Sequence, residues 1–199
     1  MCELALYTKY MKFSPKSSDQ VLINGCREGN RLAQKFLYER FFGRMMGIAM
    51  RYTSHRDEAT DILNAAFLKV FTGLDKFEDG TNLAGWVAKI VFNTSIDFVR
   101  RHAKYKQVFD LSVERDQSVY NASIDNLNTQ DLFKLIQLLP ISSRTVFNLY
   151  VVDGYKHKEV ADILSITEGT SKWHLANARK ELQRLILKRR AEEAAAGRS

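Results

Sequence analysis

A chain of 199 residues fits one ordinary domain or two small ones, and its 45% hydrophobic content supplies cores and excludes wholesale disorder. Two prolines, ten glycines and little β-branched alternation point to an all-α protein. Lys and Arg outnumber Asp and Glu by 30 to 23, a net charge of +7 that suits a polyanionic partner.

The N-terminal stretch MCELALYTKYMKFSPKSS scatters its charges and has no apolar run long enough for a signal peptide. No segment approaches the roughly 18 consecutive apolar residues of a membrane span. No membrane insertion is therefore expected, and a cytoplasmic location is. Cys2 and Cys26 lack CxxC or zinc-ligand spacing and read as free thiols in a reducing compartment.

A helix is predicted over 57–74, where Ala59, Ile62, Leu63, Ala66, Phe67, Val70, Phe71 and Leu74 recur at three- and four-residue steps. At about 100° per residue, Asp61, Asn64, Ala65 and Leu68 fall together on the opposite side. A leucine facing away from the core among polar residues suggests a docking seam. After the loop DKFEDGTN, a second long helix is predicted over 83–104. Its apolar face is Leu83, Trp86, Val87, Ile90, Val91, Thr94 and Phe98, with a polar stripe of Lys89, Asn93, Asp97, Arg100 and Lys104 beside it. Phe92, Ile96 and Val99 lie elsewhere on the circumference, so this helix should be covered on two sides.

Charge divides the chain. Residues 27–107 carry 14 basic and 9 acidic side chains, and residues 132–190 carry 11 and 5. Between them, 108–131 holds one arginine against five acids, is rich in Asn, Asp and Ser, and shows no sustained helical period. The reading is two basic helical domains, 21–107 and 131–190, joined by an acidic linker at 108–130 and flanked by tails at 1–20 and 191–199.

In the second domain Leu132, Leu135, Ile136 and Leu139 precede Pro140, which ends their helix. Val146, Phe147 and Tyr150 lie on the next helix, which stops at Asp153-Gly154. A short helix over His157–Leu164, the turn Ser165-Ile166-Thr167 and a long helix from 168 to about 189 make a helix-turn-helix outline. Thr167 is a suitable N-cap for the Thr170 amide. Gly169 sacrifices roughly 1 kcal/mol of helix propensity, and its missing side chain leaves room for a phosphate strand or for the preceding helix. Leu175, Ala178, Leu182, Leu185 and Ile186 form the core face of the long helix. Trp173, Asn177, Lys180 and Arg184 point nearly opposite, with Lys172 and Ala176 to one side. Lys donates to guanine, Asn pairs with adenine and Trp meets a thymine methyl, so this is the chemistry of major-groove reading. Lys188, Arg189 and Arg190 are expected to add phosphate contacts.

Taken together, AQKFLYERFFGRMMGIAMRY, DEATDILNAAFLKVF and GWVAKIVFNTSIDFVRRH in the first domain resemble the promoter-melting domain of the extracytoplasmic-function (ECF) sigma factors of bacterial RNA polymerase. LPISSRTVFNLYVVDGYKHKEVADILSITEGTSKWHLANARKEL in the second is similar to their −35-binding domain, and the resemblance spans about residues 21–188. It implies an N-terminal helical bundle and a C-terminal four-helix domain. It implies docking of Asp61, Asn64, Ala65 and Leu68 on the clamp helices of the polymerase's largest subunit, with the flap of the second-largest subunit as a further partner. The family usually has an acidic pair or Gln-Glu here, and Ala65 departs from that. The loop 75–82 with Lys89, Asn93, Asp97, Arg100 and Arg101 matches the part that captures the opened −10 element. Thr170, Lys172, Trp173, Ala176, Asn177 and Lys180 match the −35 readers, Asn177 replacing a residue that is commonly basic. An anti-sigma factor is a further partner that the family implies.

Two other classes stay open on sequence alone. A two-domain helix-turn-helix regulator would bind DNA without being a polymerase subunit. An enzyme would need a site that the sequence does not offer: His55, His102, His157 and His174 show no HxxxH spacing or nucleophile motif, and His55-Arg56-Asp57-Glu58 reads as an exposed helix start. No catalytic residue, metal ligand or cofactor is expected.

Overall fold

The computed structural model describes residues 13–109 and 129–196, except for the side chains at 103–109, 129–131 and 193–195. The acidic stretch at 110–128, most of the expected N-terminal tail with Cys2, and the last three residues lie outside the described residues. Among the described residues all regular structure is helical. The chain divides into two compact units, Met1–Met50 with His55–Ser95, and Arg51–Ser54 with Ile96–Ser199.

The first unit is built from α1 (Asp19–Arg27), α2 (Arg31–Met50), α3 (Arg56–Gly73), a 3-10 turn at Leu74–Lys76 and the start of α4 (Leu83–Phe109). Ser18 caps α1 by accepting from the Val21 amide, and Asn30 Oδ1 accepts from the Leu32 and Ala33 amides to open α2. Glu58 reaches back to the His55 amide at the start of α3, so the predicted exposed helix start at His55–Glu58 is what forms. The α2 helix packs on both α1 and α3. Leu22, Leu37, Phe41, Met45, Ile62, Leu63, Ala66, Phe67 and Val70 are buried between them, joined by Val87 and Val91 of α4. The predicted core face of α3 is thus the buried one, with only Phe71 left half-exposed. Gly25 is required by contact: a Cβ there would stand 2.4 Å from the Phe13 ring and 2.7 Å from the Ala33 Cβ. Cys26 is a buried free thiol, its pKa pushed up to about 12 by desolvation, and it is therefore inert at neutral pH.

The second unit contains α5 (Thr129–Gln137), α6 (Ile141–Phe147), α7 (His157–Leu164) and α8 (Glu168–Ala196). Pro140 separates α5 from α6 as expected. The sequence gives no warning of the wide turn that follows: α6 runs into a π-helical turn at Asn148–Val152, where the Asp153 amide bonds to the Asn148 carbonyl at 2.9 Å. Gly154 then adopts φ +77°, a left-handed ending that glycine makes without strain, and the Tyr155 amide closes on Leu149 O at 2.9 Å, one residue wider than after an ordinary α-helix. The other three helices pack on α8. Leu135, Ile136, Leu139, Ala178 and Leu182 form a core, with Phe147, Leu185 and Ile186 half-buried against it.

Two helices run past their predicted ends. The α4 helix continues to Phe109 rather than 104, and α8 to Ala196 rather than 189. In α8 the alanine-rich AEEAAA keeps helix propensity high, and Lys188 pairs with Glu192 at 3.8 Å, one turn on. Among the described residues no helix is long and apolar enough to cross a membrane, and no cluster of His, Cys, Asp or Glu is placed to hold a metal ion.

Candidate polymerase and promoter interfaces

Three surfaces carry the residues singled out by sequence. On α3, Asp61, Asn64, Ala65 and Leu68 all face outward, and Leu68 is 66% exposed. Each buried neighbour, Ile62, Leu63, Ala66 and Phe67, lies one or two positions away, so the helix itself turns the seam out. Asn64 is partly engaged, its Oδ1 accepting from the Tyr38 hydroxyl at 3.3 Å. Leu68 is a large apolar group whose exposure adds nothing to the fold.

On α4, Lys89, Asn93, Asp97, Arg100 and Arg101 are all exposed. Asp97 and Arg100 form an i,i+3 pair at 3.8 Å. Within the second unit the Arg100 Nε also donates to the Ile163 carbonyl at 2.7 Å. Leu83, Val87, Val91 and Thr94 are buried as predicted, and Ile96 and Val99 are buried too. The helix is therefore covered over more than one side, as the sequence suggested. The loop before it is compact: Phe77 is buried with its ring 5.0 Å from Trp86, and Thr81 Oγ1 donates to the Glu78 carbonyl at 2.7 Å.

The third surface is the helix-turn-helix. Ser165 takes the left-handed conformation at φ 57°, and the Ile166 amide bonds to the Ala161 carbonyl, which closes α7. Thr167 Oγ1 accepts from the Thr170 amide at 3.0 Å, the cap expected from sequence. His157, at the start of α7, meets Ser171 Oγ through Nδ1 at 2.9 Å and stacks on Tyr150, which ties the two helix starts together. A Cβ at Gly169 would meet only Thr167 Oγ1, at 3.6 Å. Packing of the preceding helix against Gly169 is therefore not its reason, and the first turn of α8 stays open.

Along α8, Lys172, Trp173, Ala176 and Lys180 are exposed and Thr170 is half-buried, with Trp173 at 62%. Asn177 departs from the outward face assigned to it. It is half-buried at the edge, where its Nδ2 donates to Ser143 Oγ of α6 at 3.1 Å. The same Ser143 oxygen lies 3.2 Å from His174 Nδ1. A hydroxyl has one proton and two lone pairs, so Ser143 can serve the Asn177 amide and a neutral His174 ring together, whichever tautomer that ring takes. Burial lowers the His174 pKa, in keeping with that neutral ring. Ser143 and the exposed Arg179, three residues after Ala176, were passed over in the sequence.

Arg189 corrects the sequence reading. Expected as a phosphate contact, it is 7% exposed. It stands seven residues after Leu182 and fourteen after Leu175, hence on the same buried stripe. Lys188 and Arg190 remain exposed on either side. Arg189→Ala is accordingly expected to destabilise the second unit by roughly 0.5–3 kcal/mol and to leave the salt dependence of DNA binding unchanged. Thermal unfolding and a salt titration measure the two effects separately.

Comparison with known proteins decides between the classes left open. Residues 37–105 match the family described as Sigma-70 region 2, and residues 129–182 match Sigma-70, region 4. Together these matches span more than half of the chain. The ECF RNA polymerase sigma-E factor of Haemophilus influenzae is 22% identical over 181 residues, covering 85% of this chain and 95% of that protein. That of Escherichia coli K12 is 22% identical over 185 residues, covering 87% and 96%. The chain belongs to the ECF sigma factors.

As a sigma factor it directs promoter recognition, and the reading as a free-standing regulator is not favoured. Two solved structures are also similar. The sigma factor RpoE in complex with the anti-sigma factor NepR from Bartonella quintana has a TM-score of 0.46 at 25% identity, over 76% of this chain and 95% of that one. CnrH in complex with the cytosolic domain of CnrY has a TM-score of 0.43 at 19% identity, over 85% and 97%. The fold expected of a sigma factor, two helical domains without strands among the described residues, is the fold observed.

Proposed function

We propose a division of labour among the three surfaces. Asp61, Asn64, Ala65 and Leu68 dock the sigma factor on the clamp helices of the polymerase's largest subunit, and the second unit meets the flap of the second-largest. The loop 75–82 with Lys89, Asn93, Asp97, Arg100 and Arg101 captures the opened −10 strand. Thr170, Lys172, Trp173, Ala176 and Lys180 read the −35 element, with Asn177 at the edge of that face. The working segments are 21–107 and 131–190, joined by the acidic stretch 108–130 and flanked by the tails 1–20 and 191–199. The protein acts in the cytoplasm as a binding subunit, not an enzyme, and an anti-sigma factor restrains it.

One observation carries this reading: in each unit, residues that the family resemblance marks as contacts are turned outward, including the two large apolar side chains Leu68 and Trp173. Neither side chain stabilises its unit by being exposed, and both suit a partner that covers them. The cations around Trp173 supply sequence-independent attraction to phosphate, and the aromatic and amide groups supply discrimination.

The −10 assignment has its own test. Replacing Asn93 and Arg100 together with Ala is expected to slow open-complex formation about tenfold or more, since hydrogen bonds of this kind to a base edge are worth roughly 1–3 kcal/mol. Initial binding of holoenzyme to duplex promoter should change little. Permanganate footprinting reports the opened bases, and normal opening by the double variant would place −10 capture elsewhere.

A further inference from the structure

The loop joining α3 to α4 is held by one side chain that the sequence does not advertise. Arg27, at the C-terminal end of α1, donates from Nε to the Leu74 carbonyl at 3.1 Å and from Nη2 to the Phe77 carbonyl at 2.8 Å. The same guanidinium reaches Asp79 twice, Nη1 to Oδ2 at 3.2 Å and Nη2 to Oδ1 at 3.0 Å. Gln20, two turns earlier on α1, adds a hydrogen bond from Nε2 to Asp79 Oδ2 at 2.8 Å. One planar fork therefore pins the loop at residues 74, 77 and 79, just before Gly80 turns the chain at φ +84°. A lysine has a single ammonium and could not satisfy two carbonyls and a carboxylate in this geometry. The hydrogen bonds from Arg27, then Gln20, hold the Asp79 carboxyl below the usual carboxylate range despite some opposing desolvation.

We propose that Arg27, assisted by Gln20, is a positioning residue for −10 recognition: it fixes the 74–79 loop in the shape that receives an unstacked base, without itself touching DNA. The inference rests on the proposed role of the 75–82 loop in −10 capture. Without the brace, the loop must be ordered when the strand binds, and affinity falls by the fraction of molecules already in the competent shape. Discrimination falls with it, because a loop that adjusts to any base prefers none.

The experiment uses holoenzyme reconstituted from core polymerase and the full chain. It measures binding to a single-stranded −10 oligonucleotide and to its single-base variants. Arg27→Ala is expected to lose about tenfold in affinity for the preferred strand, as when the competent fraction drops to about one tenth, and to flatten the base preference. Arg27→Lys keeps a cation near Asp79 but cannot span both carbonyls, so it should fall nearly as far while the chain stays folded. If Arg27 were purely stabilising, its replacement would instead lower the melting temperature and leave base preference as in the wild type, and that result overturns the proposal. The loop double variant Lys76→Ala with Glu78→Ala runs alongside. If it changes preference while both Arg27 variants do not, the brace is wrong and the loop reading stands. If it also leaves preference unchanged, the loop reading fails and the proposal fails with it.

Discussion

Carrying Leu68→Glu together with Asp61→Arg, the sigma factor is expected to lose binding to core polymerase by more than about thirtyfold, the loss of a hot-spot contact worth 2 kcal/mol or more. Leu68 is 66% exposed, and Asp61 lies on the same outward side of α3, away from Ile62, Leu63, Ala66 and Phe67. A glutamate at 68 puts a charge where an apolar contact should form, and an arginine at 61 reverses the sign beside it. Neither change touches the core of the first unit, so circular dichroism and melting temperature should stay as in the wild type. Pull-down of core enzyme measures the loss. Undiminished binding by a folded double variant would remove α3 from the interface. Ala65 sharpens the expectation: with no side chain beyond Cβ at the centre of the seam, Leu68 must supply most of its contact area.

Trp173→Ala should weaken −35 binding by on the order of 1–3 kcal/mol, about five- to 150-fold. The domain should not unfold, because the indole is 62% exposed and its ring packs edge-to-face with His174, at 4.9 Å between centroids. Lys188→Ala should weaken all sequences alike and reduce the salt slope by about one unit, which a phosphate contact does and a base contact does not. Holoenzyme binding to single-base −35 variants at two salt concentrations separates the two effects. A folded Trp173→Ala protein that binds every variant as well as wild type would show that DNA does not cover this face.

The pattern of what the sequence disclosed follows from physical range. The α3 seam was legible because one helix with a 3.6-residue period fixes both its buried and its outward residues. The turn before α8 was legible because Thr167 and the Thr170 amide are neighbours in sequence. Arg189 was misread because a stripe drawn from apolar residues alone ignores that a cation can lie on it when its charged head is given partners inside the fold. Asn177 was misread because α8 is covered by three helices, not one, so its buried arc is wider than the apolar residues suggest. Arg27 could not be found at all, since its contacts with Leu74, Phe77 and Asp79 span 47 to 52 residues and leave no periodic trace. The π-helical turn after α6 left no signal of its own, although its end at Asp153-Gly154 was legible from the glycine.

In the working holoenzyme the outward face of α3 is expected to meet polymerase while the outward face of α8 meets DNA. Site-specific photo-crosslinking in one reconstituted holoenzyme–promoter complex tests both halves together, with the crosslinker placed at position 68 in one preparation and at position 173 in another. The expected products are the largest polymerase subunit from position 68 and DNA of the −35 element from position 173. Crosslinks from position 68 to DNA or to a second copy of the chain, or from position 173 to polymerase alone, would contradict it.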